Sequence, residues 1–414
     1  MRSIQGTFLR ARFAGIGLRL LLCLAGLLTS ILTPAAAKGG TPHCFGKKAT
    51  IVGTGKADTL EGTNGPDVIV GLGGADTLIG KGGKDRLCAG PGGAIFVDGA
   101  PEYVKAGRGR DRLSGGTGQD SLLGGDGRDS IRGGPGGDDL SENISRGNDR
   151  LLGQGGSDVI EGGPGDDILK GGRGVDLFVG GRGDDEIDGG TNGPPGSYHG
   201  SFSWGNGGDW LALHFVGTPV RVDLSRHLAK GGPRVGRDTV RNVENVDGPE
   251  PASTLIGDAA DNILAGDTEG DVLVGRGGDD CLNPHLGEDE LRGGPGFDSY
   301  AADPLDLCHA IDPDLIFPGP GEPGDQIDLS AGTVTTRHGD ELTLSSIEGA
   351  YGSDGLDEMI GDGQDNAFYG QVGSDILEGK GGDDFLDGGP AMDSANGGDG
   401  TDRCVNAESA VNCE

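Results

Sequence analysis

Between Gly162 and Gly190 the chain reads GGPGDDILKGGRGVDLFVGGRGDDEIDGG. Large apolar residues recur at every ninth position, Leu169, Phe178 and Ile187, each two places after an aspartate, Asp167, Asp176 and Asp185. A period of nine is neither the 3.6 of an amphipathic helix nor a sustained alternation. It suits a short x-U-x strand (U, large apolar) followed by a G-G-x-G-x turn, where glycine permits positive φ and close backbone approach. One nonapeptide is therefore predicted to be a turn plus a strand, and two of them a coil of about 18 residues.

The pattern fills four blocks. The first carries Asp58, Asp67, Asp76 and Asp85. The second carries Asp111, Asp120, Asp129 and Asp138, then slips by two residues and continues through Asp149, Asp158, Asp167, Asp176 and Asp185. The third carries Asp261, Asp271, Asp280, Asp289 and Asp298, and the fourth Asp357, Asp365, Asp375, Asp384, Asp393 and Asp402. The two longer interruptions resemble each other: VDLS at 222–225 matches IDLS at 327–330, NVENV at 242–246 matches SIEGA at 346–350, and GDAADNILAG at 257–266 aligns with GDGQDNAFYG at 361–370. In that alignment Ser253 stands where Asp357 stands. Alternation in VRVDL predicts strands, so the interruptions read as β-rich extensions of one stack.

Composition sharpens the question of what holds such a stack together. Of 414 residues 89 are Gly, 4% are aromatic, and the formal net charge is -33. Low hydrophobicity with high charge would by itself point to disorder. A buried U side chain contributes about 1.5–3 kcal/mol, whereas ordering each backbone residue costs about 1–2 kcal/mol, and there is one U per nine residues. Something else must stabilise the coils. Stacking would place Asp158 over Asp176 and Asp167 over Asp185 at the parallel-strand spacing of about 4.7–4.9 Å. Carboxylates so placed repel unless a cation lies between them. Calcium takes 6–8 oxygen ligands at about 2.3–2.6 Å and fits better than magnesium, which demands a small octahedron. Coupled binding and folding are expected. The acidic balance also disfavours nucleic acid and anionic membranes as partners.

This repeat resembles the RTX (repeats-in-toxin) family of haemolysin-type calcium-binding nonapeptides. The resemblance implies an all-β fold, a right-handed parallel β-roll (β-helix or solenoid) interrupted by β-rich insertions. It implies that the aspartates named above, with neighbouring backbone carbonyls, coordinate several Ca²⁺ ions. The ending DRCVNAESAVNCE resembles the closing cap of secreted actinobacterial-type RTX proteins.

The N-terminus reads differently. Arg2, Arg10, Arg12 and Arg19 precede the apolar run LLLCLAGLLTSIL and the small residues Ala35 and Ala37, the pattern of an export signal cut after Ala37. Cys23 belongs to that run. Six cysteines remain, and an even number in an exported chain suggests disulfides. Proximity favours Cys44–Cys88, Cys281–Cys308 and Cys404–Cys413. The expected organisation is a signal peptide at 1–37, a repeat block at 38–88, an insertion at 89–105, a second block at 106–189, a β-rich insertion at 190–256, a third block at 257–301, a β-rich insertion at 302–351, a fourth block at 352–403 and a disulfide-closed cap at 404–414.

Catalysis has little support. H-E-x-x-H, G-x-S-x-G and EF-hand loops are absent. The expected function is extracellular, non-enzymatic, calcium-dependent and structural or adhesive. Its partners would be calcium ions and a cell-surface or matrix component, without membrane insertion. The alternative is a hydrolase or polysaccharide-active enzyme using His199, Asp209, His214, Trp204 and Trp210 in the 190–256 segment.

Overall fold

The computed structural model describes residues 41–74, 76–91, 104–141, 146–192, 208–213, 216–301 and 323–414. The expected signal peptide lies outside the described residues. From Thr41 onward the chain forms one compact unit. Its described residues are all-β apart from one short 3-10 turn, Leu224–Arg226.

Each nonapeptide folds as its spacing predicts. In Asp176–Gly180 alternate residues point inward, so Asp176, Phe178 and Gly180 are buried while Leu177 and Val179 are half-buried. Successive strands alternate between two facing parallel sheets. Sheet I runs from Ile51–Val52 to Ser409–Val411. Sheet II begins at Thr59–Glu61 and passes through the bridge Ser121–Asp139 into a twelve-stranded ladder ending at Arg403–Val405. Pairing one coil apart aligns identical positions. Leu151, Leu169 and Ile187 form one column on sheet I, and Ile160, Phe178 and Leu211 one on sheet II. These columns are fully buried and belong to a single apolar core. The fold is the parallel β-solenoid expected from the sequence.

The two long interruptions are built alike. In the first, Arg221–Asp223, Leu228–Lys230 and Arg237–Arg241 form an antiparallel meander inserted into sheet I. Its flanks pair in parallel with Glu186–Thr191 on one side and Thr254–Ile256 on the other. In the second, Pro323–Asp328, Thr333–Thr335 and Glu341–Ser345 do the same between Glu290–Arg292 and Leu356–Ile360. The VDLS and IDLS segments take equivalent places, and in both the serine hydroxyl donates to the aspartate two residues before it, Ser225 to Asp223 and Ser330 to Asp328. Sheet II continues past each meander without a break, from Trp210–Ala212 to Asn245–Asp247 and from Ser299–Ala301 to Gly349–Tyr351.

Candidate metal centres

Each turn puts a carboxylate on the core side of its strand, where backbone rather than water must satisfy it. The Asp158 N–H donates to Asp176 Oδ1 at 2.8 Å, and the Asp167 N–H donates to Asp185 Oδ1 at 2.8 Å. The same bond recurs coil after coil, each aspartate N–H reaching the carboxylate of the next coil: Asp85 to Asp111, Asp129 to Asp149, Asp280 to Asp298, Asp375 to Asp393. Two such ladders result, one beside each sheet.

The ladder uses only one oxygen of each carboxylate. The Oδ2 atoms of Asp85, Asp111, Asp138, Asp158, Asp176, Asp185, Asp209, Asp280, Asp289, Asp298, Asp375, Asp384, Asp393 and Asp402 are buried and accept no hydrogen bond. A buried anion without a partner is strongly disfavoured. Burial, then the charge of Asp176, pushes the Asp158 carboxyl up to about 8. Burial likewise pushes Asp176 and Asp185 up to about 7.

Glycine makes room for that second oxygen. A Cβ on Gly171 would stand 1.9 Å from Asp176 Oδ2 and 2.7 Å from the Gly189 carbonyl oxygen. The space is therefore a cradle where a carboxylate oxygen and the carbonyl of the next coil converge. Gly174 serves another purpose: its φ is +131°, and a Cβ there would lie 1.9 Å from the Gly156 carbonyl oxygen. Among the described residues no three His, Cys, Asp or Glu side chains gather as a metal cluster. The donors at each cradle are thus carboxylate and backbone oxygens, suited to a hard divalent cation such as calcium and unlike the nitrogen and sulfur sets that zinc favours. The residues present fit calcium.

A family model for the RTX calcium-binding nonapeptide repeat matches residues 52–87, 106–140, 145–178, 171–192, 256–291, 351–386 and 369–404, together just over half of the chain. The chain belongs to the RTX family. No curated protein matches it.

Not every RTX turn leaves an open oxygen. Where a Thr, Ser or Asp follows the first glycine, its backbone N–H turns back onto the ladder side chain. Thr54 donates to Asp58 Oδ2, Thr63 to Asp67 Oδ2, Asp267 to Asp271 Oδ2 and Ser353 to Asp357 Oδ2. These closed turns begin each stretch of the roll, at its N-terminal end and after each meander. The other aspartates expected as ligands, Asp76, Asp85, Asp111, Asp120, Asp129, Asp138, Asp149, Asp158, Asp167, Asp176, Asp185, Asp280, Asp289, Asp298, Asp375, Asp384, Asp393 and Asp402, are all buried at ladder positions.

Two expected residues stand elsewhere. Asp261 and Asp365 are exposed, one place before the ladder, and the ladder positions belong to the buried Asn262 and Asn366. The Asn262 N–H donates to Asp280 Oδ1 and the Asn366 N–H to Asp384 Oδ1. Spacing carried the signal: Asp261 to Asp271 is ten residues, whereas Asn262 to Asp271 restores nine. Asp261 and Asp365 instead join an outer ladder of opposite direction, in which the later residue donates. The Asp279 N–H reaches Asp261 Oδ1 at 2.8 Å, the Asp383 N–H reaches Asp365 Oδ1 at 2.8 Å, and the Asp184 N–H reaches Asp166 Oδ1 at 3.1 Å.

Three ladder members sit outside any nonapeptide. Asp209 Oδ1 accepts the Asp176 N–H, Asp238 Oδ1 the Asp185 N–H, and the Asp325 N–H donates to Asp357 Oδ1. A Cβ on Gly189 would lie 2.2 Å from Asp209 Oδ2 and 1.8 Å from the Asn242 carbonyl oxygen, the same cradle built from distant sequence. Asp209, the acidic group of the enzymatic alternative, is therefore a ladder residue, and Trp210 is core. His199, Trp204 and His214 lie outside the described residues. Glutamates close the ladders: Glu244, Glu348 and Glu408 Oε2 accept the N–H of Asp209, Asp298 and Asp393. Two residues before each, Asn242, Ser346 and Asn406 take φ near +51°. Asn242-x-Glu244 and Ser346-x-Glu348 lie within the NVENV and SIEGA match of the sequence, and Asn406-x-Glu408 is a third copy that the match did not include.

The Cys44–Cys88 and Cys404–Cys413 disulfides are formed. The expected Cys281–Cys308 bridge involves Cys308, outside the described residues.

Proposed function

We propose that this chain is an exported calcium-binding protein with a structural or adhesive, non-enzymatic role. Its open-turn aspartates would hold the ions, and the array would continue through Asp209 beyond the repeats. Calcium would drive folding of the roll, leaving the chain largely unfolded where calcium is scarce and set where it is near millimolar. The observation that carries this reading is the row of buried Oδ2 atoms without a donor, of which those of Asp85, Asp158, Asp176, Asp375 and Asp384 face a backbone carbonyl of the next coil across a glycine cradle. Export is supported by the N-terminal Arg-rich, apolar and Ala-x-Ala succession and by two formed disulfides. A non-enzymatic role is supported by the ladder and core positions of Asp209 and Trp210. Among the described residues no helix is long and apolar enough to cross a membrane.

The test is far-UV circular dichroism of residues 38–414, titrated from chelator with calcium and, in parallel, magnesium. A cooperative gain of β-structure at about 0.1–1 mM calcium, absent with magnesium, supports the proposal. A β-rich spectrum in chelator that calcium leaves unchanged overturns it.

A further inference from the structure

One face of this very acidic molecule is basic. Four successive turns on sheet I read KDRLC, RDRLS, RDSIR and NDRLL, at 84–88, 110–114, 128–132 and 148–152. Register stacks Arg86, Arg112, Ser130 and Arg150 in one column. The residues preceding each ladder aspartate make a second column, Lys84, Arg110, Arg128 and Asn148. Lys84, Arg110, Arg112, Arg128, Arg132 and Arg150 are exposed. Within these five-residue stretches the only carboxylates are the buried Asp85, Asp111, Asp129 and Asp149, and the exposed Asp126, two residues before Arg128, is paired with a further cation, Arg108, at 3.7 Å. Five of the six exposed cations line a groove of about 360 Å³, which Asp166 of the following turn bounds at one end.

Two of the cations, Arg112 in the groove and Arg132 beside it, lie over an aromatic ring. The guanidinium carbons of Arg112 and Arg132 lie 5.8 Å and 5.9 Å from the centroid of the Phe45 ring. Phe45 follows Cys44, which is tied to this same sheet by its disulfide to Cys88. The charges are therefore partly ordered before any ligand arrives, which lowers the entropy cost of binding.

We propose that this face binds an extended acidic polysaccharide bearing carboxylate or sulfate groups. Charge complementarity calls for a polyanion. The repeat of the cations is the coil spacing of about 4.8 Å, close to the advance of one sugar ring in an extended chain. No aromatic side chain lines the groove, so the stacking platforms that single-stranded nucleic acids use are missing. The locally basic face departs from the partner expected from net charge alone, because binding follows local potential. One part rests on the calcium reading: ions beside Asp85, Asp111, Asp129 and Asp149 would neutralise the carboxylates beneath the cations and strengthen attraction.

The test compares the full chain with the triple variant Arg110→Gln/Arg112→Gln/Arg128→Gln at 1 mM calcium, by calorimetry against heparin (sulfate) and polygalacturonate (carboxylate). Dextran serves as the neutral control and a single-stranded oligonucleotide as the competing polyanion. Circular dichroism on the same samples separates loss of fold from loss of binding. The expected result is binding of one or both acidic glycans, weakened about tenfold or more in the variant and by added salt, with the calcium-titrated spectrum unchanged. Arg110, Arg112 and Arg128 are exposed and outside the ladders, so the variant reports on the face even where the chelated chain stays folded. Equal glycan binding by chain and variant overturns the proposal, as does tighter binding of the oligonucleotide. So does an unmodified chain that ignores both glycans and self-associates through this face by light scattering.

Discussion

The Asp158 N–H points at Asp176 Oδ1, 2.8 Å away and one coil later, while Asp176 Oδ2 has no donor at all. The two oxygens of one carboxylate thus have different tasks. Replacing Asp176 by Asn keeps an acceptor for Asp158 and removes the charge. In chelator the variant is expected to be more stable than the parent, because a buried unpaired anion is gone. In calcium it is expected to be less stable, by on the order of 1–3 kcal/mol. Residual β-structure in chelator by circular dichroism and thermal melts in calcium check the inversion; a change of the same sign in both conditions would refute the division of labour.

Acidity gives a second test. Without ions, burial pushes Asp158, Asp209 and Asp375 up to about 8, against about 3.9 in an unfolded chain. A raised carboxyl favours the protonated folded form, so folding carries no charge cost below pH about 4 and an increasing cost up to pH about 8. In chelator, β-structure is expected to fall as pH rises across that window. In calcium the trend reverses, since protons compete for the same oxygens. Circular dichroism from pH about 4 to about 8.5 reads both.

Closed and open turns should respond differently. Asp271 Oδ2 already accepts the Asp267 N–H, whereas Asp280 Oδ2 accepts nothing. Asp280→Asn is expected to lower the number of calcium ions bound and raise the folding midpoint. Asp271→Asn should leave the ion count unchanged. Calorimetric stoichiometry on the two variants decides, and equal losses would show that the turn sequence does not select the ion.

Two turn glycines in neighbouring coils make a controlled pair for the backbone. Gly155→Ala meets nothing within 4 Å and is expected to change stability by less than about 0.5 kcal/mol. At Gly174, with φ at +131° and a carbonyl 1.9 Å from the new Cβ, alanine is expected to cost at least about 1–3 kcal/mol. Denaturation in saturating calcium measures the difference.

Much of this was legible in the sequence because a nine-residue period places the same residue type at the same point of every coil. Leu169 and Phe178 were recognisable as core, and Asp167 over Asp185 as a stacked pair, from spacing alone. Asn262 and Asn366 are obscured by the aspartates that precede them, because a D-N pair offers a carboxylate one place before the amide that fills the ladder. Asp209, Asp238 and Asp325 could not be found by period: Asp176 and Asp209 stand 33 residues apart and Asp185 and Asp238 stand 53 apart, yet each pair is adjacent in its ladder. What they keep of the repeat is the D-x-U triplet alone: Leu211, Val240 and Ile327 stand two places after Asp209, Asp238 and Asp325 and are buried.

The closing glutamates have a consequence for how damage spreads. A carboxylate that serves the coil before it passes any local failure backward, like a missing rung that loosens the one above. Where Glu244 and Glu348 end the sheet II row, the relay stops: the next ladder side chains, Asn262 and Asn366, instead bind the Glu244 and Glu348 carbonyls through their amides. These junctions act as bulkheads. They divide a long one-dimensional array into compartments, so that a coil lost in one compartment need not unzip its neighbour.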